Sequence, residues 1–194
     1  MEKIGILFSG GLESTSLIYK FLQESFKVEL IYVKFGFKWE DAEIIYAKKI
    51  ANFFDLNLNV IEVKSNLVFD LGFVNNVKSN IIILRNLSLI INAANFCVNK
   101  NIYNLSMGLL GDNRYPDTSL RYISNIEMLI SEGINKKFNI FLPFYGLKKK
   151  DIFCKYKDNI PLDLIFSCTN PIGENRCGKC YKCKQLNSVL NSKC

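Results

Sequence analysis
The 194-residue chain contains no histidine. That absence excludes any mechanism built on an imidazole base and any metal site of the Cys₂His₂ kind. No apolar run reaches the roughly 20 residues that cross a bilayer, so no membrane partner is expected. Met1-Glu2-Lys3 enters an apolar strand pattern with no signal-peptide profile, and a cytoplasmic location is the expectation. Internal repeats, low-complexity stretches and a second-domain boundary are all lacking, which leaves one domain as the default for this length. The pattern G-x-x-x-x-G-K-[ST] does not occur either, so a Walker-type phosphate loop is excluded.

A different phosphate signal is present. In Lys3–Tyr19, Ile4, Ile6, Leu7 and Phe8 read as a buried strand, and Ser9-Gly10-Gly11 interrupts it. Ser14, Thr15 and Ser16 read as helix-start residues, and Leu17, Ile18, Phe21 and Leu22 give a helical apolar face. A strand that turns through two glycines into a helix leaves unpaired backbone N–H groups and the positive end of the helix dipole facing one point. An anion is favoured there. Phe8, Ser9, Gly10, Gly11, Leu12, Glu13, Ser14 and Thr15 are therefore the candidate phosphate-binding residues.

The rest of the chain alternates strand and helix patterns. Strands are expected near Val28–Phe35, Asn57–Val63, Ile102–Met107 and Phe138–Leu142. Helices are expected over Trp39–Phe54, over Ile81–Lys100 (apolar nearly all round, hence central and buried), after a Thr118 cap with Gly133 beyond its end, and from Lys148 onward. Residues 64–80 lack clean periodicity and read as a loop with one helical turn. The alternation predicts an α/β fold: a parallel sheet with helices on both faces, and ligands at the carboxyl ends of its strands. The net charge of +7 is concentrated at the end: residues 133–194 carry 12 basic and 4 acidic side chains. A basic patch suits phosphates, although a solvated lysine-rich surface is the plain alternative.

Cys168, Cys177, Cys180 and Cys183 are spaced C-x₈-C-x₂-C-x₂-C. Each C-x₂-C step turns two thiolates onto one ion, and Lys179, Lys182 and Lys184 offset their charge. A closed structural Zn²⁺ site is the natural reading, with an iron–sulfur cluster as its competitor. Cys97 and Cys154 read as core cysteines and Cys194 as a frayed end, with metal rather than disulfides expected of the set. Residues 1–160 then form a nucleotide-binding domain, and 161–194 a zinc-binding tail packed on it.

SGGLES resembles the SGGxDS loop of the PP-loop ATP pyrophosphatase superfamily, with Glu13 at the position of the usual Asp. Combined with the cysteine spacing, it resembles the 7-cyano-7-deazaguanine synthase (QueC) family. Arg85-Asn86, Tyr115-Pro116-Asp117, and Pro143 with Lys149 and Ile152 extend that resemblance along the chain. Leu84 and Thr118 replace a Gly and a Cys of the family pattern, and the stretch before Arg85 is shorter.

The resemblance implies an ATP-dependent carbon–nitrogen ligase that releases AMP and pyrophosphate, acting in queuosine biosynthesis. It would convert 7-carboxy-7-deazaguanine and ammonia to 7-cyano-7-deazaguanine. It also implies Mg²⁺ with ATP, a homodimer, and Arg85 and Lys149 as cations near the α-phosphate. Asp117 would contact the base or metal, and Asp112 is a weaker candidate. Arg85 pairing with a helix-start carboxylate, and Lys149 in a solvated run, are the plain alternatives. Two other readings stand beside the synthase. One is a related ligase joining the deazapurine carboxylate to a protein acceptor in anti-phage defence. The other is a tRNA-modifying PP-loop enzyme or an inactive nucleotide-binding module.

Overall fold
A computed structural model describes residues 1–63, 73–74, 77–78, 84–110 and 115–194. Five strands, β1 (Lys3–Leu7), β2 (Lys27–Lys34), β3 (Leu58–Glu62), β6 (Asn104–Ser106) and β7 (Asn139–Phe141), form one parallel sheet in the order β3-β2-β1-β6-β7. β1 pairs with β2 from Lys3 opposite Lys27 to Leu7 opposite Ile31, and with β6 through Gly5 and Ile6. The intervening β4 (Phe73–Val74) and β5 (Val77–Lys78) pair antiparallel with each other. The expectation of a loop over residues 64–80 otherwise falls outside the described residues, as do the first turn expected at Ile81 and the candidate Asp112.

Helices cover both faces. α1 (Leu12–Gln23), α2 (Glu40–Phe53) and α5 (Lys149–Tyr156) enclose a core of Ile4, Ile6, Leu17, Ile18, Phe21, Leu30, Ile50, Phe144, Ile152 and Phe153. α3 (Arg85–Asn99) and α4 (Leu120–Gly133) close the other face over Ile31, Ile90, Ala93, Cys97, Leu105, Ile123, Ile126 and Phe138. α6 (Tyr181–Leu190) packs on α5 and sends Leu186 into the first core. The burial of this apolar surface, at about 25 cal/mol per Å², is what holds the helices on the sheet.

The α/β expectation holds, and four local expectations need correction. α1 begins at Leu12 with Gly11 as its N-cap, so Ser14–Ser16 lie inside the first turns and not ahead of them. Their hydroxyls bond back to the helix, Ser14 Oγ to the Gly11 carbonyl at 3.2 Å and Ser16 Oγ to that of Leu12 at 2.8 Å. α3 is not buried all round: Ile90, Ala93, Ala94 and Cys97 face the sheet while Ile91 is 44% exposed. α4 is capped by Ser119, whose Oγ accepts from Tyr122 N at 3.2 Å, because Thr118 is spent in the 3-10 turn Pro116–Thr118. Gly133 is the last helical residue.

The fourth correction concerns cysteine. Cys154 on α5 and Cys194 at the chain end form a disulfide across a Cα separation of 5.5 Å. Cys154 is partly buried beneath that contact. Spacing gave no warning, because 40 residues separate the pair and only the return of α6 along α5 brings them together.

Candidate functional site
The strand order reverses direction at β1: the chain moves outward to β2 and β3, then returns to β6 on the other side. The crevice at the carboxyl ends of β1 and β6 is where such a sheet binds ligands. The loop Phe8–Gly11, the Phe35–Phe37 turn after β2, Gly108 after β6 and Pro143 after β7 all open at that end.

Gly10 holds φ +73°, a left-handed conformation that side chains other than glycine rarely adopt, and a Cβ there would also press on the Ala47 backbone at 3.4 Å. Gly10 O accepts from Phe166 N at 3.0 Å, and Ser9 N donates to Ser14 Oγ at 3.3 Å. Together these contacts fix the loop so that the first N–H groups of α1 are presented outward. Thr15 is fully buried and its hydroxyl has no hydrogen-bond partner in the protein. Gly108 leaves room for the head of α1: a Cβ there would meet Glu13 Cβ at 2.7 Å and Ser14 N at 3.2 Å. The sequence puts Gly108 in a polar loop at the carboxyl ends of the strands, and its closeness to α1 follows only from the β1–β6 pairing.

Charged side chains gather around this crevice, each from the first turn of a helix. Lys149 Nζ, at the start of α5, meets Glu13 Oε1 at 2.9 Å, both side chains being largely buried. Arg85 opens α3, and its Nε is buried without a partner. Glu43, in the first turn of α2, accepts from the Tyr32 hydroxyl at 2.6 Å. Burial pushes the Glu43 carboxyl up to about 7, opposed by the Tyr32 hydrogen bond and then by the Arg85 charge. Burial also raises the Tyr32 hydroxyl, reinforced by Glu43. Glu40 has a separate task, accepting from the backbone N–H groups of Phe35, Gly36 and Phe37 at 2.7–3.1 Å and so fixing the β2 turn.

Lys182, the second residue of α6, joins this group. The residue is exposed at its surface, yet partial desolvation lowers its pKa, and the Lys149 charge lowers it further; Glu13, Arg85 and Glu43 are its other electrostatic neighbours. The sequence assigned Lys182 to the thiolates. Three cations at helix N-termini run against the helix dipole, a cost of about 0.3–1 kcal/mol each at exposed sites. Among the described residues, Lys149 is the one of these three cations with an ion-pair partner, Glu13. The arrangement suits a bound polyanion. Asp117 lies half-buried in the turn ahead of α4, which packs against α3.

The four tail cysteines come together as their spacing implies, with sulfurs all within 4.8 Å of one another. Cys168–Cys177 is 3.6 Å, Cys168–Cys180 3.9 Å and Cys177–Cys183 4.0 Å. One ion bound tetrahedrally by four thiolates at about 2.3 Å requires edges of about 3.8 Å, and these distances fit it. Backbone N–H groups of Asn170 and Cys177 point at Cys168 Sγ, and that of Cys183 at Cys180 Sγ, each at 3.4 Å. The knuckle packs through Cys168, Cys183 and Phe166 onto Ala42 and Tyr46 of α2, and Phe166 stacks on Tyr46 at 4.9 Å. Phe166 is also the residue bonded to Gly10, so the cysteine cluster and the Ser9–Gly11 loop share one wall.

Comparison with known proteins agrees with this geometry. Two solved structures share the fold at 13% identity: the U34-tRNA thiolase NcsA from Methanococcus maripaludis with its [4Fe-4S] cluster (TM-score 0.63, 97% of this chain and 65% of that one), and a 4-thiouridine synthetase–RNA complex with bound ATP (TM-score 0.56, 97% and 50%). Curated relatives include 7-cyano-7-deazaguanine synthase 1 of Desulfitobacterium hafniense, 25% identical over 97% of this chain and 91% of its own length. The 7-cyano-7-deazaguanine synthase of Aquifex aeolicus is also 25% identical, over 97% and 96%. The family model described as queuosine biosynthesis protein QueC matches residues 3–193, and the chain belongs to that family.

Proposed function
We propose that this protein is an ATP-dependent 7-cyano-7-deazaguanine synthase. The observation that carries the reading is the convergence of the Gly10-Gly11 cradle, the Glu13–Lys149 pair and Arg85 at the β1–β6 crevice. Family membership and the names of its curated relatives support the substrate, 7-carboxy-7-deazaguanine.

In this mechanism a carboxylate oxygen of the substrate attacks the α-phosphorus of ATP, and pyrophosphate leaves. Ammonia then attacks the acyl carbon, AMP departs, and an amide remains. A second ATP adenylates the amide oxygen, and loss of AMP and a proton gives the nitrile. Ser9, Gly10, Gly11, Ser14 and Thr15 hold the pyrophosphate end, flanked by Phe8 and Leu12. Arg85 and Lys149 stabilise charge developing at the α-phosphate, a task that favours fixed cations over mobile water. Asp117 is assigned to the base edge.

Glu13 offers a hard oxygen beside the cradle and is the residue that would hold Mg²⁺, which neutralises phosphate charge when bound. Its pairing with Lys149 keeps both side chains in place in the free chain. Cys168, Cys177, Cys180 and Cys183 would hold a structural Zn²⁺. An all-thiolate set with single-ion spacing fits zinc better than a cluster, whose cysteines bind separate irons. The tail, 161–194, is then part of the same domain as 1–160.

The test is product mass spectrometry after incubation with ATP, Mg²⁺, ammonium and 7-carboxy-7-deazaguanine. A nitrile with two AMP per turnover is expected. AMP without nitrile would move the assignment to another acceptor, and no AMP at all would overturn the reading.

A further inference from the structure
We propose that Glu43 is the general base of the reaction, taking the proton that the substrate nitrogen must lose, first as the amide forms and again as the nitrile forms. The proposal rests on the synthase reading above and adds a residue to its chemistry. Both steps release a proton from nitrogen, and the chain has no histidine to receive it.

Position carries the argument first. Tyr32 follows Ile31, whose carbonyl accepts from Phe8 N at 2.8 Å, so it stands level with the start of the Phe8–Gly11 loop. Side chains alternate along a strand. Leu30 lies in the core beneath α1 and α2, and Ile31 and Val33 lie in the other, so Tyr32 is directed to the α2 side. There its hydroxyl donates to Glu43 Oε2 at 2.6 Å. Ala47, one turn along α2 on the same face as Glu43, is the residue whose backbone lies against Gly10. α2 begins at the crevice, where Glu40 accepts from Gly36 N at 2.7 Å and holds the turn after β2. Glu43 is therefore set between that rim and the Gly10 contact, and it is half-buried rather than sealed.

Availability is the second strand. Glu13 is engaged by Lys149, Asp41 by Lys34, and Glu40 by three backbone N–H groups. Among the described residues, Glu43 Oε1 has no hydrogen bond or ion pair, so one carboxylate oxygen is held by Tyr32 and the other is open to a substrate N–H. The charged groups around it are Arg85 and Lys182, which favour its ionised form, and Glu40, which opposes it; burial outweighs them and sets its pKa at about 7. A carboxyl of that strength both accepts and returns a proton at neutral pH.

The protons balance as follows. When ammonia adds to the acyl carbon of the adenylate, the nitrogen carries three hydrogens and a positive charge. One proton passes to Glu43, the C–O bond to AMP breaks with its electron pair, and the amide remains. Glu43 returns its proton to solvent. After the amide oxygen is adenylated, the nitrogen gives up one proton to reach the neutral imidate. Glu43 then takes the last one: the N–H electron pair becomes the third C–N bond as the C–O pair leaves with AMP.

The experiment starts from the 7-carboxamide of the substrate, which removes ammonia and its own titration from the measurement. Nitrile formation with Mg·ATP is followed in single turnovers across neutral pH for the zinc-loaded full chain as wild type, Glu43→Gln, Glu43→Asp and Tyr32→Phe. Exchange of labelled pyrophosphate into ATP, driven by 7-carboxy-7-deazaguanine, is measured beside it. The wild-type rate should rise with pH through an inflection near about 7 and then level off. Glu43→Gln is expected to lose on the order of 10²- to 10⁴-fold in rate, together with the inflection. Its exchange should stay at the wild-type level, because an ionised substrate carboxylate needs no base. Glu43→Asp should recover part of the rate. Tyr32→Phe should move the inflection upward, since the Tyr32 hydrogen bond favours the ionised carboxyl. A wild-type rate that is flat with pH overturns the proposal, as does a Glu43→Gln variant that keeps both rate and inflection. Parallel loss of exchange and nitrile formation that aspartate does not repair also overturns it, since that pattern describes a structural carboxyl. These outcomes leave the synthase reading standing. A wild type that forms no nitrile overturns both.

Discussion

At the residue scale, the crevice depends on small side chains as much as on charged ones. Gly108→Ala places a Cβ 2.7 Å from Glu13 Cβ and 3.2 Å from Ser14 N, against helix backbone that cannot step aside. The head of α1 must shift, and overpacking of this kind costs about 1–3 kcal/mol. Calorimetry should show ATP affinity falling at least tenfold, because the N–H groups of the cradle move with α1. Gly133→Ala is the control. It ends α4 with nothing within 4 Å, and it should be neutral or stabilising by about 0.5–1 kcal/mol. Equal ATP affinity in the two variants would contradict this account of the cradle. Glu43 gives a second residue-scale prediction. Its carboxyl is raised to about 7 by burial, so the folded chain holds a proton that the unfolded chain releases near pH 4.5. Between those values the folded state binds more protons, and stability attributable to Glu43 falls as pH rises. Glu43→Gln should flatten the decline of unfolding free energy from about pH 5 to 7, by on the order of 1–3 kcal/mol. A parallel decline in the variant would refute it. Neither Gly108 nor Glu43 was legible in sequence. One needs the β1–β6 pairing to acquire a neighbour, and the other needs burial to become unusual.

At the element scale, what repeats with a fixed period was legible and what depends on packing was not. Buried runs such as Ile4–Phe8 and the apolar spacing of α2 are local, so strands and helices emerge from sequence to within a few residues. The apolar stretch of α3 misled because its composition does not say which face meets the sheet; Ile91 remains exposed while Cys97 is covered. The cysteine knuckle was legible for a different reason, since C-x₂-C restricts geometry within one turn. Its consequence for the phosphate loop was not. Phe166 precedes Cys168 by two residues, stacks on Tyr46 and donates to Gly10 O. Removal of the metal should therefore loosen the cradle. Cys183→Ser, or chelation of wild type, is expected to abolish metal binding, lower Tm and increase amide hydrogen exchange at Gly10–Ser14. Unaltered exchange in that segment after complete metal loss would show that the shared wall transmits nothing.

At the scale of the whole molecule, the chain is closed on itself at its end. The tail leaves α5, meets the phosphate-loop backbone through Phe166 and Gly10, clusters its four cysteines and returns along α5, where Cys194 joins Cys154. The bridge thus encloses the knuckle and α6 in a 40-residue loop. Closing a loop of that size removes unfolded-state entropy equivalent to about 4 kcal/mol in the chain-entropy treatment, and measured gains commonly run lower, at about 2–4 kcal/mol. For a chain of this length that corresponds to a fall in Tm of roughly 5–12 °C when the bridge is lost. Cys194→Ser should show this fall without reductant while keeping its full metal content, since the four clustered sulfurs are untouched. Wild type treated with a phosphine reductant should fall to the same Tm as the variant, and the variant should not respond. If wild type and Cys194→Ser melt together under oxidising conditions, the bridge contributes nothing, and packing of Leu186 against α5 alone holds the end of the chain.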